Sequence, residues 1–133
     1  MDQITISTDK ERLDIDYIHQ FLSVKSYWAQ NVPIEKVRKS IANALCFGVY
    51  DGEKQIGFAR VVTDYAIFAY LADVFIDENY RGRGLSKKLM ETIFGHPELQ
   101  GLRRFMLATK DAHGLYRKFG FEVINDPEKY MRK

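Results

Sequence analysis

Tyr80-Arg81-Gly82-Arg83-Gly84-Leu85-Ser86 is the stretch that decides the fold. Before it runs Phe68-Ala69-Tyr70-Leu71-Ala72-Asp73-Val74-Phe75-Ile76, apolar at nearly every position, as in a strand covered on both faces. After it Leu85, Leu89, Met90 and Ile93 recur at helical spacing, and Gly95 and Pro97 stop the helix. Glycines at a strand-to-helix turn let backbone N–H groups approach a ligand with no Cβ in the way. The helix N-terminus adds unpaired donors and the positive end of the helix dipole. The turn therefore reads as an anion site suited to phosphate, with Arg81 and Arg83 adding positive charge. A P-loop is excluded, because Gly82 and Gly84 are too close and Ser86 precedes Lys87. A Rossmann fingerprint is excluded, because its third glycine position holds Lys87.

Outward from the turn, residues 4–8 read as a first strand and 11–24 as an amphipathic helix built on Leu13, Tyr17, Ile18, Phe21 and Leu22. Pro33 opens a second helix with Ile34, Val37 and Ile41 as its stripe. The loop between them carries Tyr27 and Trp28. Residues 45–50 and 54–63 form a hairpin about Asp51-Gly52, and Asp64-Tyr65 is the next bend. Residues 105–108 read as a strand, 112–119 as a short helix ended by Gly120, and 121–124 as a strand behind it. A last short strand is expected near Tyr130-Met131. The order β-α-α-β-β-β-α-β-α-β-(β) describes an α/β sandwich on a mixed sheet, and 133 residues suit a single domain over 1–133.

Composition narrows the classes. Hydrophobic residues are 46% and charged residues 29%, an ordinary globular balance. Cys46 is the single cysteine, so no intrachain disulfide forms, and His19, His96 and His113 share no ligand spacing with it; no metal is expected. Cys46 reads as a core hydrophobe and His113 as a surface residue. A net charge of +2 argues against nucleic acid. Lys87-Lys88 and Arg103-Arg104 read as solvated charge. Residues 66–76 are too short for a membrane span, and the N-terminus shows no secretory pattern. A cytoplasmic, reducing setting is expected.

A second signature follows: Thr109-Lys110-Asp111-Ala112-His113-Gly114-Leu115-Tyr116-Arg117-Lys118-Phe119-Gly120-Phe121. With the Arg81–Ser86 turn, it resembles the GNAT superfamily, the Gcn5-related N-acetyltransferases, in motif order and over nearly the whole chain. Two positions depart from the family pattern. Ser86 replaces a Gly or Ala, and Thr109 replaces an Asn whose amide would reach pantetheine. The resemblance implies a mixed, largely antiparallel sheet with a V-shaped splay and helices on both faces. Acetyl-CoA would lie in the splay as co-substrate. Its pyrophosphate would sit on Arg81, Gly82, Arg83, Gly84, Leu85 and Ser86. Its pantetheine would lie along Val74, Phe75 and Ile76, as an added strand pairs with a sheet edge, and beside Thr109 and Ala112. An N–H near Val74 or Phe75 would polarise the thioester carbonyl.

The resemblance further implies direct attack by a primary amine of a small molecule or peptide. Tyr116 matches the family's general acid toward the leaving thiolate, whose thiol has a pKa of about 8.5 by analogy with cysteine. The amine must be neutral. At pH 7, a lysine-like amine of pKa ~10.4 costs roughly 4.6 kcal/mol to deprotonate. Asp73, the one charge on its strand, is the first candidate for the base; it reads equally well as a structural partner of a loop or a buried arginine. Asp64 and Glu122 are weaker candidates. Tyr27, Trp28, Tyr65 and Tyr70, with Asp64 or Asp73, would line the acceptor pocket and suit a cationic amine. A catalytically silent acyl-CoA-binding sensor on the same fold is the alternative. By analogy alone a homodimer is a further expectation. Replacing Gly84 by Val is expected to abolish acetyl-CoA binding while the chain stays folded, as read by calorimetry and circular dichroism. Unchanged affinity would place the pyrophosphate elsewhere.

Overall fold

The computed structural model describes residues 3–133. Five strands form one sheet in sequence order: β1 (Ile4–Ser7), β2 (Leu45–Asp51), β3 (Lys54–Thr63), β4 (Phe68–Ile76) and β5 (Arg104–Leu107). Neighbours are antiparallel except β4 and β5, which run parallel. The helices are α1 (Ile15–Gln20), α2 (Ile34–Ala42), α3 (Leu85–Phe94) and α4 (His113–Arg117). The expected mixed, largely antiparallel sheet with helices on both faces is what the chain builds.

Each face has its own apolar cluster. α3 lays Leu89, Met90 and Ile93 on Phe47, Val49, Ala59, Val61 and Leu71. Ile18, Phe21 and Leu22, with Val37 and Ile41 of α2, cover Cys46, Phe58 and Phe75 on the other. Alternation along β2 and β3 sends Phe47 and Ala59 one way and Cys46 and Phe58 the other. Cys46 is a core residue, its thiol pushed up to about 11 first by burial. Among the described residues no helix is long and apolar enough to cross a membrane.

Three expectations change. The helix expected over 11–24 is divided. Asp14 caps α1 by accepting the Tyr17 N–H at 3.1 Å, and residues 10–12 before it form a separate 3₁₀ turn. Past Gln20 the helix widens into a π turn over Phe21–Lys25, closed by Ser26 N–H donating to the Phe21 carbonyl at 3.0 Å. The strand expected at 121–124 is not formed, and neither is the one at Tyr130-Met131. Phe121 instead packs into a ring cluster with Phe94, Phe105 and Tyr116, while Val123 and Met131 are exposed. The apolar content of 121–124 is a local signal, whereas a strand needs a partner backbone, and this segment meets none among the described residues.

Tyr50 is buried with its hydroxyl unpartnered among the described residues, and Arg12 stacks on its ring at 4.1 Å. A Cβ on Gly48 would run into that hydroxyl. Gly48→Ala is therefore expected to cost about 1–3 kcal/mol in chemical denaturation. Tyr50→Phe, which removes the unsatisfied group, should be neutral or stabilising. A large loss in Tyr50→Phe would mean that the hydroxyl has a partner.

Candidate active site

The β4–β5 ladder runs only from Phe68↔Arg104 to Leu71↔Leu107. β4 continues to Ile76 while β5 ends, so among the described residues the backbone of β4 past Leu71 has no strand on that edge. A cavity of about 1470 Å³ fills the opening. Arg81 and Ser86 border one end, Val74, Phe75 and Ile76 one wall, and Thr109, Ala112 and Tyr116 the other. Tyr27, Trp28, Tyr70 and Asp73 also line it.

Gly82 and Gly84 adopt φ of +79° and +75°, where a side chain is strained, and the space a Cβ would enter is open at both. Gly84 is the N-cap of α3 and supplies no side chain to cap it. The first intrahelical bond is Lys88 N–H to the Gly84 carbonyl at 3.1 Å, which leaves the N–H groups of Leu85, Ser86 and Lys87 for a ligand. Leu85's side chain is buried in the α3 cluster, so its backbone is what it offers. Arg81 is held at the cavity by Nε donating to the Ile76 carbonyl at 3.3 Å. Arg83 lies over the Tyr80 ring, 4.8 Å from its centroid, outside the cavity lining.

Asp73 sits in a β-bulge. Phe58 pairs with Phe75 and Arg60 with Ala72, so Ala59 alone faces both Asp73 and Val74. Asp73 takes φ +55°, a left-handed value that Asp tolerates better than most residues. Its Oδ1 accepts Trp28 Nε1–H at 2.9 Å and its Oδ2 accepts Arg60 Nε–H at 2.8 Å. Of the two readings open in the sequence, the geometry is that of a structural partner: Asp73 holds both a loop and an arginine. Sequence reasoning did not name Arg60, although it is the one cation within an apolar run on the strand beside the lone acid.

Tyr116 is 7% exposed, and its hydroxyl has no hydrogen-bond partner among the described residues. Burial pushes the phenol up to about 12, with Tyr27 and Asp111 adding to the shift. Thr109 Oγ1 accepts the Ala112 N–H at 3.0 Å and so shapes the entry to α4. Tyr27 spans the opening, its hydroxyl accepting the Lys110 N–H at 3.0 Å. Ser26 sets this loop: buried, it donates to the Leu22 carbonyl at 2.6 Å and accepts the Ala29 N–H at 3.0 Å.

Two acceptor-pocket expectations are corrected. Asp64 and Tyr65 do not line the cavity. Asp64 Oδ1 accepts the N–H groups of Ala66, Ile67 and Phe68 at 3.0, 2.8 and 3.0 Å, closing the β3–β4 turn. Tyr65, at φ +62°, is exposed at the tip of that turn. Glu122, the other weak base candidate, lies outside the cavity as well.

With this geometry in place, residues 14–121 match the family model described as the acetyltransferase (GNAT) family. The chain belongs to the GNAT acetyltransferase family. It is 49% identical to a Xanthomonas campestris pv. campestris protein whose crystal structure is assigned to the same family. The likeness covers 100% of this chain and 94% of that one, with a TM-score of 0.96. A Gibberella zeae protein named as an acetyltransferase is 30% identical over 135 residues, covering 85% of this chain and 75% of its own. An Elizabethkingia anophelis GNAT acetyltransferase solved with acetyl-CoA bound shares the fold, at TM-score 0.68 and 16% identity over 94% of this chain and 80% of its own.

The turn at Asp64 gives a pH prediction. The N–H groups of Ile67, Phe68 and Ala66 hold its carboxyl down at about 2. A depressed carboxyl stabilises above its unfolded pKa of about 4 and stops doing so as pH falls through about 2. Asp64→Ala is expected to lower Tm at pH 7, with the deficit shrinking between pH 4 and pH 2. A deficit independent of pH would mean that the carboxylate charge is not what closes the turn.

Proposed function

We propose that the chain transfers the acetyl group of acetyl-CoA to a primary amine by direct attack. One observation carries the reading: Arg81 and Ser86, the two ends of the glycine turn, border the same cavity as Tyr116, across a strand edge left open by β5. The residues fit the co-substrate. An open glycine turn ahead of an uncapped ten-residue helix suits a pyrophosphate, and Arg81 adds charge at that end. The unpaired backbone of β4 past Leu71 suits the amide groups of pantetheine.

The bulge supplies a polarising group. Strand alternation is broken at Asp73–Val74, so a backbone N–H there is free of the β3 ladder and can donate to the thioester oxygen as charge builds on it. Tyr116 serves the leaving sulfur. Its phenol is protonated throughout the neutral range and donates to the developing thiolate. With its own pKa near 12 and the thiol's about 8.5, it stabilises by hydrogen bonding more than by complete proton transfer. Asp73 has both oxygens engaged, so we assign it to holding Trp28 and Arg60 at the acceptor side, and the amine's proton leaves through water.

Acetyl-CoA at 100 times its Kd is expected to stabilise the fold by about 2.7 kcal/mol, read as a rise in Tm. Tyr116→Phe should lower kcat roughly 100-fold with little change in that rise. Binding without thiol release from any of a broad panel of amines would instead support the silent acyl-CoA sensor. Because burial raises Tyr116, kcat/KM should climb with pH as the acceptor amine deprotonates and show no falling limb below pH 10. A falling limb near pH 8–9 that disappears in Tyr116→Phe would overturn the role given to the phenol.

A further inference from the structure

The charges on the cavity are unevenly distributed. At the glycine-turn end stand Arg81 and the start of α3, which the co-substrate uses. The far end is formed by α2, whose Lys36, Lys39, Ser40 and Asn43 line the cavity from one helical face, at i, i+3, i+4 and i+7. Lys36 and Lys39 are exposed, and among the described residues neither ammonium has an ion pair or a hydrogen bond. Other lysines on this side are engaged. Lys25 pairs with Glu78 at 3.2 Å, and Lys10 donates to the Ala42 carbonyl at 3.3 Å.

Negative charge does not balance them. Among the described residues, the acids on the lining are Asp73 and Asp111. Asp73 is neutralised by Arg60 at 2.8 Å, and both side chains of that pair are largely buried. Asp111 sits beyond β5, close enough to Tyr116 to raise its phenol. The acceptor end is thus left with the two uncompensated positive charges of Lys36 and Lys39. This departs from the expectation from sequence of a pocket for a cation, which took its negative charge from Asp64 or Asp73.

We propose that the acceptor is a primary amine bearing an anionic oxyacid group, a carboxylate or a phosphate, which seats on Lys36 and Lys39. This rests on the acetyl-transfer reading above and names its acceptor class. Two physical consequences favour it. A cleft lined by one sign of charge concentrates ligands of the other sign. The same cations disfavour a bound ammonium, so they lower the pKa of the amine nearby and help to present it neutral. One charged face therefore anchors the acceptor and prepares the nucleophile, with no carboxylate base on the acceptor side.

The test uses matched amines and reads binding apart from turnover. Affinities for the protein loaded with CoA are measured by calorimetry for tyrosine against tyramine and for O-phosphoethanolamine against ethanolamine. The anionic member of at least one pair is expected to bind about tenfold more tightly at low salt, and the margin should narrow as salt rises. The two pairs distinguish carboxylate from phosphate. In the double variant Lys36→Glu/Lys39→Glu the margin should vanish or invert, with Tm and CoA affinity as controls for an intact fold. Equal or better binding of both amines that lack the anionic group, failure of both amines that carry it to bind, or a margin that survives the double variant would overturn the proposal. Anionic amines that bind in the expected way, with no amine in a broad panel ever releasing CoA thiol, would overturn the acetyl-transfer reading and leave the anionic subsite standing.

Discussion

The extra residue in β4 at Asp73 is the constraint on which the site depends. Ahead of the bulge Ala69 and Leu71 face α3; beyond it Val74 and Ile76 do, so the alternation has shifted by one residue. The shift sends Phe75 to the opposite face, where its ring stacks on Phe21 at 3.8 Å and closes the core under α1 and α2. The same irregularity frees backbone from the β3 ladder just where β5 has already parted from β4. Fold and cleft therefore share one cause: β4 does not keep β5 past Leu71, and the bulge resets the phase of its second half beside the opening.

Asp73 then ties the acceptor loop to this edge. A left-handed φ is tolerable for Asp but not free, and it is held by two donors from different elements, Trp28 and Arg60. Tyr27, next to Trp28, reaches the other arm of the splay at Lys110. A loop set by the π turn and by Ser26 thus spans the opening and touches both walls. Removing either partner of the Arg60–Asp73 pair would leave a poorly solvated charge, so this pair serves arrangement more than net stability.

The chemistry follows from how charge is distributed along the cavity. On the proposed reading, anion-binding groups gather at both ends, and between them lie the Tyr116 phenol and the open edge of β4. A deprotonated amine is easier to present in a positive field than in a negative one. On that proposal the arrangement offsets the cost of deprotonation without a dedicated base.

Sequence alone determined the parts whose signal is local. The glycine turn, the α3 stripe, the β2–β3 hairpin and the Tyr116 motif each rest on neighbours within a few residues, and all of these elements formed. The open splay was implied by the family resemblance. Local pattern failed wherever a distant partner decides. The apolar run at 121–124 had no strand to pair with; the periodicity over 11–24 ran through the Asp14 cap and a π turn. The apolar run of β4 hid a bulge, because a strand apolar on every position looks the same in either phase. Asp64 and Asp73 are both acids near a sheet edge, and only the fold separates a turn cap from a neutralised ion pair. The positive charge on the α2 side of the cavity lay beyond sequence for the same reason: Lys36 and Lys39 are ordinary helix-surface charges until packing brings α2 beside the cleft and Arg60 neutralises Asp73.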